Sequence, residues 1–275
     1  MMNPIDPTRA ALAYKDEAFV DSDAARPLRI LAEYLQPMTA FAHENIRDTI
    51  VFFGSARIRP DGPLAHFYDD ARETARRVTE WSLSLPTDAK RYVVCTGGGP
   101  GIMEAANRGA YDAGGRTIGL NIGLPHEQQP NPYITHELSF EFHYFFMRKL
   151  WFASLARALI VFPGGFGTMD ELCEILTLAQ TEKLSRRIPV VLYGSGYWNE
   201  VIDFEAMVRH GTIGAADLEL FQFADDPATV LSLLQRGILE AESKETDTPG
   251  HAHADAQPEP DEGAPDFAHS HTPVG

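Results

Sequence analysis

The sequence predicts a single Rossmann-like α/β domain, doubly wound around a mainly parallel sheet flanked by helices, and three observations predict it. Short β-branched or aromatic runs alternate with amphipathic segments of helical length, as strands joined by crossover helices require. Those runs are apolar throughout rather than alternating, the mark of strands covered on both faces. Three of them end in glycine turns, "FFGSAR", "CTGGGPGIMEAA" and "FPGGFGTMDE", where an open α/β sheet collects its ligands beyond the carboxyl ends of its strands.

Taken in order, residues 1–25 are weakly patterned. "PLRILAEYLQPMTAFAHENI" then carries apolar residues at helical spacing interrupted by Pro37, predicting a helix or a kinked pair that leads into a domain spanning 26–240. Strands are expected over 49–56, 91–98, 116–122, 138–143, 158–164 and 188–194, with helices over 65–83, 101–113, 144–156 and 169–184. From 241 to 275 the chain is acidic and Pro-rich with one aromatic residue, Phe267. That segment has too little apolar area to offset the entropy of ordering, so a disordered acidic tail is expected there. Its four histidines, at 251, 253, 269 and 271, read as part of a solvated tail rather than as a metal site.

The formal net charge of the 275 residues is −16, and the tail alone holds eight carboxylates against one lysine. Such a balance argues against coating nucleic acid or anionic membrane. No apolar run reaches membrane-spanning length without charge, and "MMNPIDPTRA" lacks the basic-then-apolar order of a secretory leader. The expectation is therefore a cytoplasmic protein with neither nucleic acid nor a membrane as partner. Cys95 and Cys173 both sit in apolar context without metal-ligand spacing, which fits a reducing compartment and places both in the core.

Several chemistries are disfavoured by what the glycine turns are not. None reads G-x-G-x-x-G followed by an acidic residue about 20 positions on, and G-x-x-x-x-G-K-[ST] and G-x-S-x-G are absent. Ordinary NAD binding, P-loop nucleotide hydrolysis and the α/β-hydrolase elbow are set aside. What remains is glycine backbone able to approach a ligand, followed by a helix N-terminus with unpaired N–H groups, a combination suited to phosphate or carboxylate. Within "FPGGFGTMDE", Thr168 and Glu171 have the spacing of a capping box, so Glu171 reads equally as a cap and as a carboxylate for chemistry. Just upstream, "FHYFFMRKLWFASLARALIVF" is apolar on nearly every side and predicts a buried helix. Arg148 within it needs an anionic partner, either a protein carboxylate or a substrate phosphate.

"GGGPGIMEAANRGA", "MRK" and "PGGFGTMDE", in that order and at this spacing, resemble the LONELY GUY family, whose bacterial members are often labelled "possible lysine decarboxylase". The resemblance covers roughly residues 48–235. It implies a phosphoribohydrolase that cleaves the N-glycosidic bond of a nucleoside 5'-monophosphate to free base and ribose 5-phosphate, without cofactor or metal. It further implies a homodimer, with the apolar stretches 140–156 and 172–184 around the interface.

Carried onto this chain, the resemblance makes Arg148 and Glu171 the catalytic pair, with Lys149 beside them. Gly164, Gly165, Phe166, Gly167, Thr168, Met169 and Asp170 become the phosphate loop. Glu127 and Thr177 become substrate contacts, while Ser55, Gly98 and Gly99 line the opposite wall towards ribose or base. Phe-Met before Arg148 and Asp170 in place of a glutamate depart from the plant-like pattern, which leaves cytokinin ribosides and AMP both open as substrates. The competing reading is a non-catalytic nucleotide sensor or carrier. A pyridoxal-dependent decarboxylase would need a lysine for the Schiff base, and only Lys149 or Lys183 qualifies.

Overall fold

Strand β1 (Thr49–Phe53) is fully buried, and its side chains alternate between two cores. Val51 and Phe53 face one, Ile50 and Phe52 the other. The computed structural model describes residues 12–123, 129–184 and 187–246. Before β1 come α1 (Glu17–Val20) and α2 (Arg26–His43), and after it α3 (Ala65–Leu83), β2 (Val93–Thr96), α4 (Ile102–Asp112), β3 (Thr117–Ile122) and β4 (Ser139–Phe142). Then follow α5 (Phe145–Ser154), β5 (Ala156–Val161), α6 (Phe166–Gln180), β6 (Val190–Tyr193), α7 (Ser195–Val201), α8 (Phe204–Arg209), β7 (Gln222–Ala224) and α9 (Pro227–Thr246).

The seven strands form one all-parallel sheet in the order β4-β3-β2-β1-β5-β6-β7. Phe41 of α2, Trp151 and Phe152 of α5 and Leu172 and Ile175 of α6 fill one core. Tyr68 and Val78 of α3, Ile102 of α4 and Val230 and Leu234 of α9 fill the other. This is the Rossmann-like, doubly wound arrangement that the sequence predicts. The order reverses between β1 and β5, so the loops leaving these two strands diverge and open a crevice at the sheet's carboxyl edge.

The six expected strands and four expected helices are present, and α3 occupies the expected residues 65–83. Of the helix or kinked pair expected around Pro37, the single helix is found, with Pro37 buried inside α2. Several expectations are corrected. Residues Ala13–Lys15, Glu17–Val20 and Asp23–Ala25 of the weakly patterned start form short helical turns, tied to α2 by Arg29, whose guanidinium donates to the carbonyls of Val20 and Ser22. A seventh strand, β7, was missed because three residues are too short for a periodicity. α9 runs to Thr246, past the expected start of the tail, and Glu242 on it pairs with Arg91 at 2.6 Å. Composition misses that interaction because it is long-range; residues 247–275 lie outside the described residues.

Cys95 is buried as expected, whereas Cys173 is exposed on α6. α5 is not buried all round either: Phe145, Phe146 and Leu150 are 50%, 48% and 40% exposed, while Met147, Trp151 and Phe152 are covered. Among the described residues, no helix is long and apolar enough to cross a membrane.

Candidate active site

A cavity of about 780 Å³ occupies the crevice between the loops that follow β1 and β5. Backbone hydrogen bonds fix its two walls to each other: the Ser55 N–H donates to the Pro163 carbonyl at 3.0 Å, and the Phe162 N–H to the Phe53 carbonyl at 2.8 Å. The β1 loop is packed against the start of α4 through Gly101, which has φ of +71° and whose added Cβ would stand 2.4 Å from the Ser55 carbonyl oxygen. Only glycine fits there.

The β5 loop carries Pro163, Gly164 and Gly165 into α6. The sequence suggests a helix capped by Thr168, but the structure starts it at Phe166 with Gly165 as N-cap and no side-chain cap. The Thr168–Glu171 capping box is therefore absent. Thr168 falls in the first turn and Glu171 nearly two turns in, and the Thr168 side chain packs against Gly164, where a Cβ would stand 2.1 Å from its Oγ1. The first turn of α6 thus carries no side-chain cap, and its residues Phe166 to Met169 line the cavity, the place where a helix N-terminus favours an anion.

Glu171 is 6% exposed, and its partners are cations from α5. Arg148 donates from Nη2 to Glu171 Oε1 at 3.2 Å, and Lys149 Nζ lies 3.7 Å from Oε2. Burial pushes the Glu171 carboxyl above the ordinary glutamate range, with Arg148 and Lys149 opposing that rise. The Arg148 guanidinium lies 5.2 Å from the centroid of the Phe145 ring and 5.7 Å from that of Phe152. Its Nε is buried and makes no hydrogen bond among the described residues. Burial lowers its pKa, yet an arginine remains charged at neutral pH.

Of the residues singled out from the sequence, the cavity brings together Ser55, Arg148, Gly164, Gly165, Phe166, Gly167, Thr168, Met169 and Glu171. Others stand elsewhere. Gly98 and Gly99 are buried behind the wall, where the Asn131 side chain donates to both carbonyls at 3.1 Å; their neighbour Gly97 lines the cavity instead. Lys149 flanks the site, bound to Glu174 at 2.6 Å and Asp170 at 2.9 Å. Thr177 turns its hydroxyl back to the Cys173 carbonyl at 2.7 Å. Glu127 lies outside the described residues.

The sequence reading omitted Arg57, Arg59, Met103, Phe152 and Tyr197, all of which line the cavity. "FFGSARIR" carried the only available signal for the two arginines, as cations directly after a glycine turn. Together the lining holds three guanidiniums and one carboxylate in a chain of net charge −16, a local inversion that attracts an anion. Among the described residues, no cluster of histidine, cysteine or carboxylate side chains could hold a metal ion.

A family model described as "possible lysine decarboxylase" matches residues 103–234. The chain is similar to "Probable cytokinin riboside 5'-monophosphate phosphoribohydrolase LOG4" of Oryza sativa subsp. japonica, with 29% identity over 192 residues, 69% of this chain and 76% of that protein. Cytokinin riboside 5'-monophosphate phosphoribohydrolase LOG of the same plant is 31% identical over 136 residues, 49% of this chain and 50% of that protein. LOG3 of Arabidopsis thaliana is 26% identical over 193 residues, 69% and 82% of the respective chains. Among solved structures, a Northeast Structural Genomics Consortium target determined by X-ray overlays with a TM-score of 0.50 and 21% identity, covering 69% of this chain and 99% of that one.

Proposed function

The chain belongs to the LONELY GUY family, and from that premise we propose that it hydrolyses the N-glycosidic bond of a nucleoside 5'-monophosphate, AMP or a cytokinin riboside monophosphate, to free base and ribose 5-phosphate. One observation carries the reading. The buried Arg148–Glu171 pair borders the same cavity as the uncapped N-terminus of α6, so a carboxylate and an anion site share one crevice.

In this reading the 5'-phosphate rests on the amides at Gly165 to Thr168, where the helix dipole favours negative charge. Anchoring the phosphate places the anomeric carbon at a fixed distance from Glu171. Breaking the C–N bond develops oxocarbenium charge on the ribose, which the Glu171 carboxylate stabilises while it orients and deprotonates the attacking water. Arg148 holds that carboxylate in register, and Ser55 faces the ribose or base from the opposite loop. Arg57 and Arg59 add attraction at the β1 side.

Decarboxylation by a lysine Schiff base is poorly supported, because a free amine is needed. Lys149 is held protonated by Asp170, Glu171 and Glu174, and Lys183 is exposed and does not line the cavity. The exposed Phe146 and Leu150 stripe on α5 supports contact with a second copy of the chain, hence a homodimer. The acidic composition and absence of a paired-cysteine framework support a cytoplasmic setting.

The test is incubation with AMP and with cytokinin riboside monophosphates, followed by chromatography of the products. Free base and ribose 5-phosphate in equal amounts are expected. AMP bound without any base released would overturn hydrolysis and leave a nucleotide carrier.

A further inference from the structure

Gly164 and Gly165 flank one peptide unit that borders the cavity. With glycine on both sides, that unit can rotate between its two faces at little torsional cost. Local sequence therefore does not decide whether its carbonyl or its N–H meets a ligand, although the two choices have opposite charge. Something outside the loop has to set it.

The structure supplies such a group. Tyr197 on α7 donates its hydroxyl to the Gly164 carbonyl at 2.7 Å. Because no described peptide is cis, the carbonyl of Gly164 and the N–H of Gly165 point in opposite directions across the unit. Binding the carbonyl to Tyr197 therefore turns the Gly165 N–H away from α7. Tyr197 is itself well anchored: its neighbour Trp198 is fully buried and donates from Nε1 to the carbonyls of Tyr193 at 3.0 Å and Val161 at 3.3 Å. Ser195, at the start of the same helix, is held by the Asp225 carboxylate through its N–H and its hydroxyl, both at 2.7 Å. On the other side of the loop, Thr168 stands so close that a Cβ on Gly164 would lie 2.1 Å from its Oγ1. The loop is clamped between a tyrosine hydroxyl and a threonine side chain.

We propose that Tyr197 is a positioning residue that fixes the polarity of the Gly164–Gly165 peptide, so that the loop presents N–H groups to the phosphate of the substrate. The inference rests on the phosphate reading of the cavity and deepens it by naming what orients the loop. Substitution by phenylalanine removes the hydroxyl and keeps the ring packed on Trp198, 5.2 Å away between ring centroids.

Calorimetric titration of ribose 5-phosphate into the full-length protein and Tyr197→Phe is the direct test, with AMP turnover and adenosine binding measured alongside. Loss of one oriented donor to a phosphate is expected to weaken ribose 5-phosphate binding by about tenfold. The KM for AMP should rise by the same factor with kcat within about twofold, while the weaker affinity for adenosine, which has no phosphate, should not fall in proportion. Equal ribose 5-phosphate affinity in the two proteins would overturn the assignment of Tyr197, as would an equal loss with adenosine, the sign of a merely structural role. If the unmodified protein binds no ribose 5-phosphate, the phosphate reading falls and this inference falls with it.

Discussion

Arg148 and Glu171, separated by 23 positions in the chain, meet at 3.2 Å beside the cavity, each on a different helix and both largely withdrawn from water. Burial raises the cost of each charge, and the pair offsets that cost for both. Arg148 Nε makes no hydrogen bond among the described residues, so the guanidinium is not saturated by the protein.

Glu171→Gln keeps an oxygen that can accept from Arg148 and removes the carboxylate charge. Turnover of AMP should fall by about a hundredfold to ten-thousandfold, the range for loss of a positioned acid–base group. Thermal unfolding should remain cooperative. Turnover equal to that of the unmodified protein, measured by base release, would remove Glu171 from the chemistry.

The pH dependence follows from the direction of the Glu171 shift. Burial raises its pKa, and a base must be ionised to work, so the acid limb of kcat/KM should lie above the ordinary glutamate range. Lys149 opposes that rise. Lys149→Met should therefore move the limb to still higher pH, and a limb that stays in place or moves down would contradict the assignment. The same shift has a stability counterpart. A carboxyl with a raised folded-state pKa favours the fold when protonated, so its contribution is full below the unfolded value and lost as pH rises through the folded one.

At the opposite edge of the sheet, Asp48 is 1% exposed and its Oδ2 accepts from Arg91 Nη2 at 3.0 Å and from Arg157 Nε at 3.3 Å. Its Oδ1 accepts the Tyr92 N–H at 2.7 Å. Asp48→Asn would remove the buried carboxylate that two guanidiniums share, with Arg91 keeping Glu242, at a cost of up to about 3 kcal/mol in urea unfolding. AMP turnover at a temperature where the variant is folded should be unchanged, because the cluster lies at the amino ends of the strands.

Phe146 and Leu150, one helical turn apart on α5, present an exposed apolar stripe. Phe146→Asp with Leu150→Asp should shift the protein from dimer to monomer in sedimentation velocity. A monomer before substitution would overturn the homodimer, and a dimer after it would place the interface elsewhere. Phe145 is left intact because its ring lies under the Arg148 guanidinium.

The strands of the central sheet were legible because each is buried on both faces and so reads as an unbroken apolar run. β4 was legible for the opposite reason: it lies at the edge of the sheet, and its burial alternates residue by residue. Helix starts were less legible. Thr168 and Glu171 have the spacing of a cap, but α6 begins three residues earlier than expected, with Gly165 as its N-cap, and no local signal weighs those alternatives.

The sequence by itself determined the doubly wound sheet, its glycine turns and the order of the motifs, since these follow from hydrophobic period and backbone freedom within short stretches. Only the tertiary structure decided which turn residues face the crevice. Gly98 and Gly99, prominent in the sequence, are bound from behind by Asn131, while Gly97, Arg57 and Tyr197 line the cavity. The physical reason is that a side chain's partner on another element, such as Tyr197 for Gly164 or Arg148 for Glu171, is chosen by packing between distant segments, and no spacing along the chain encodes that distance.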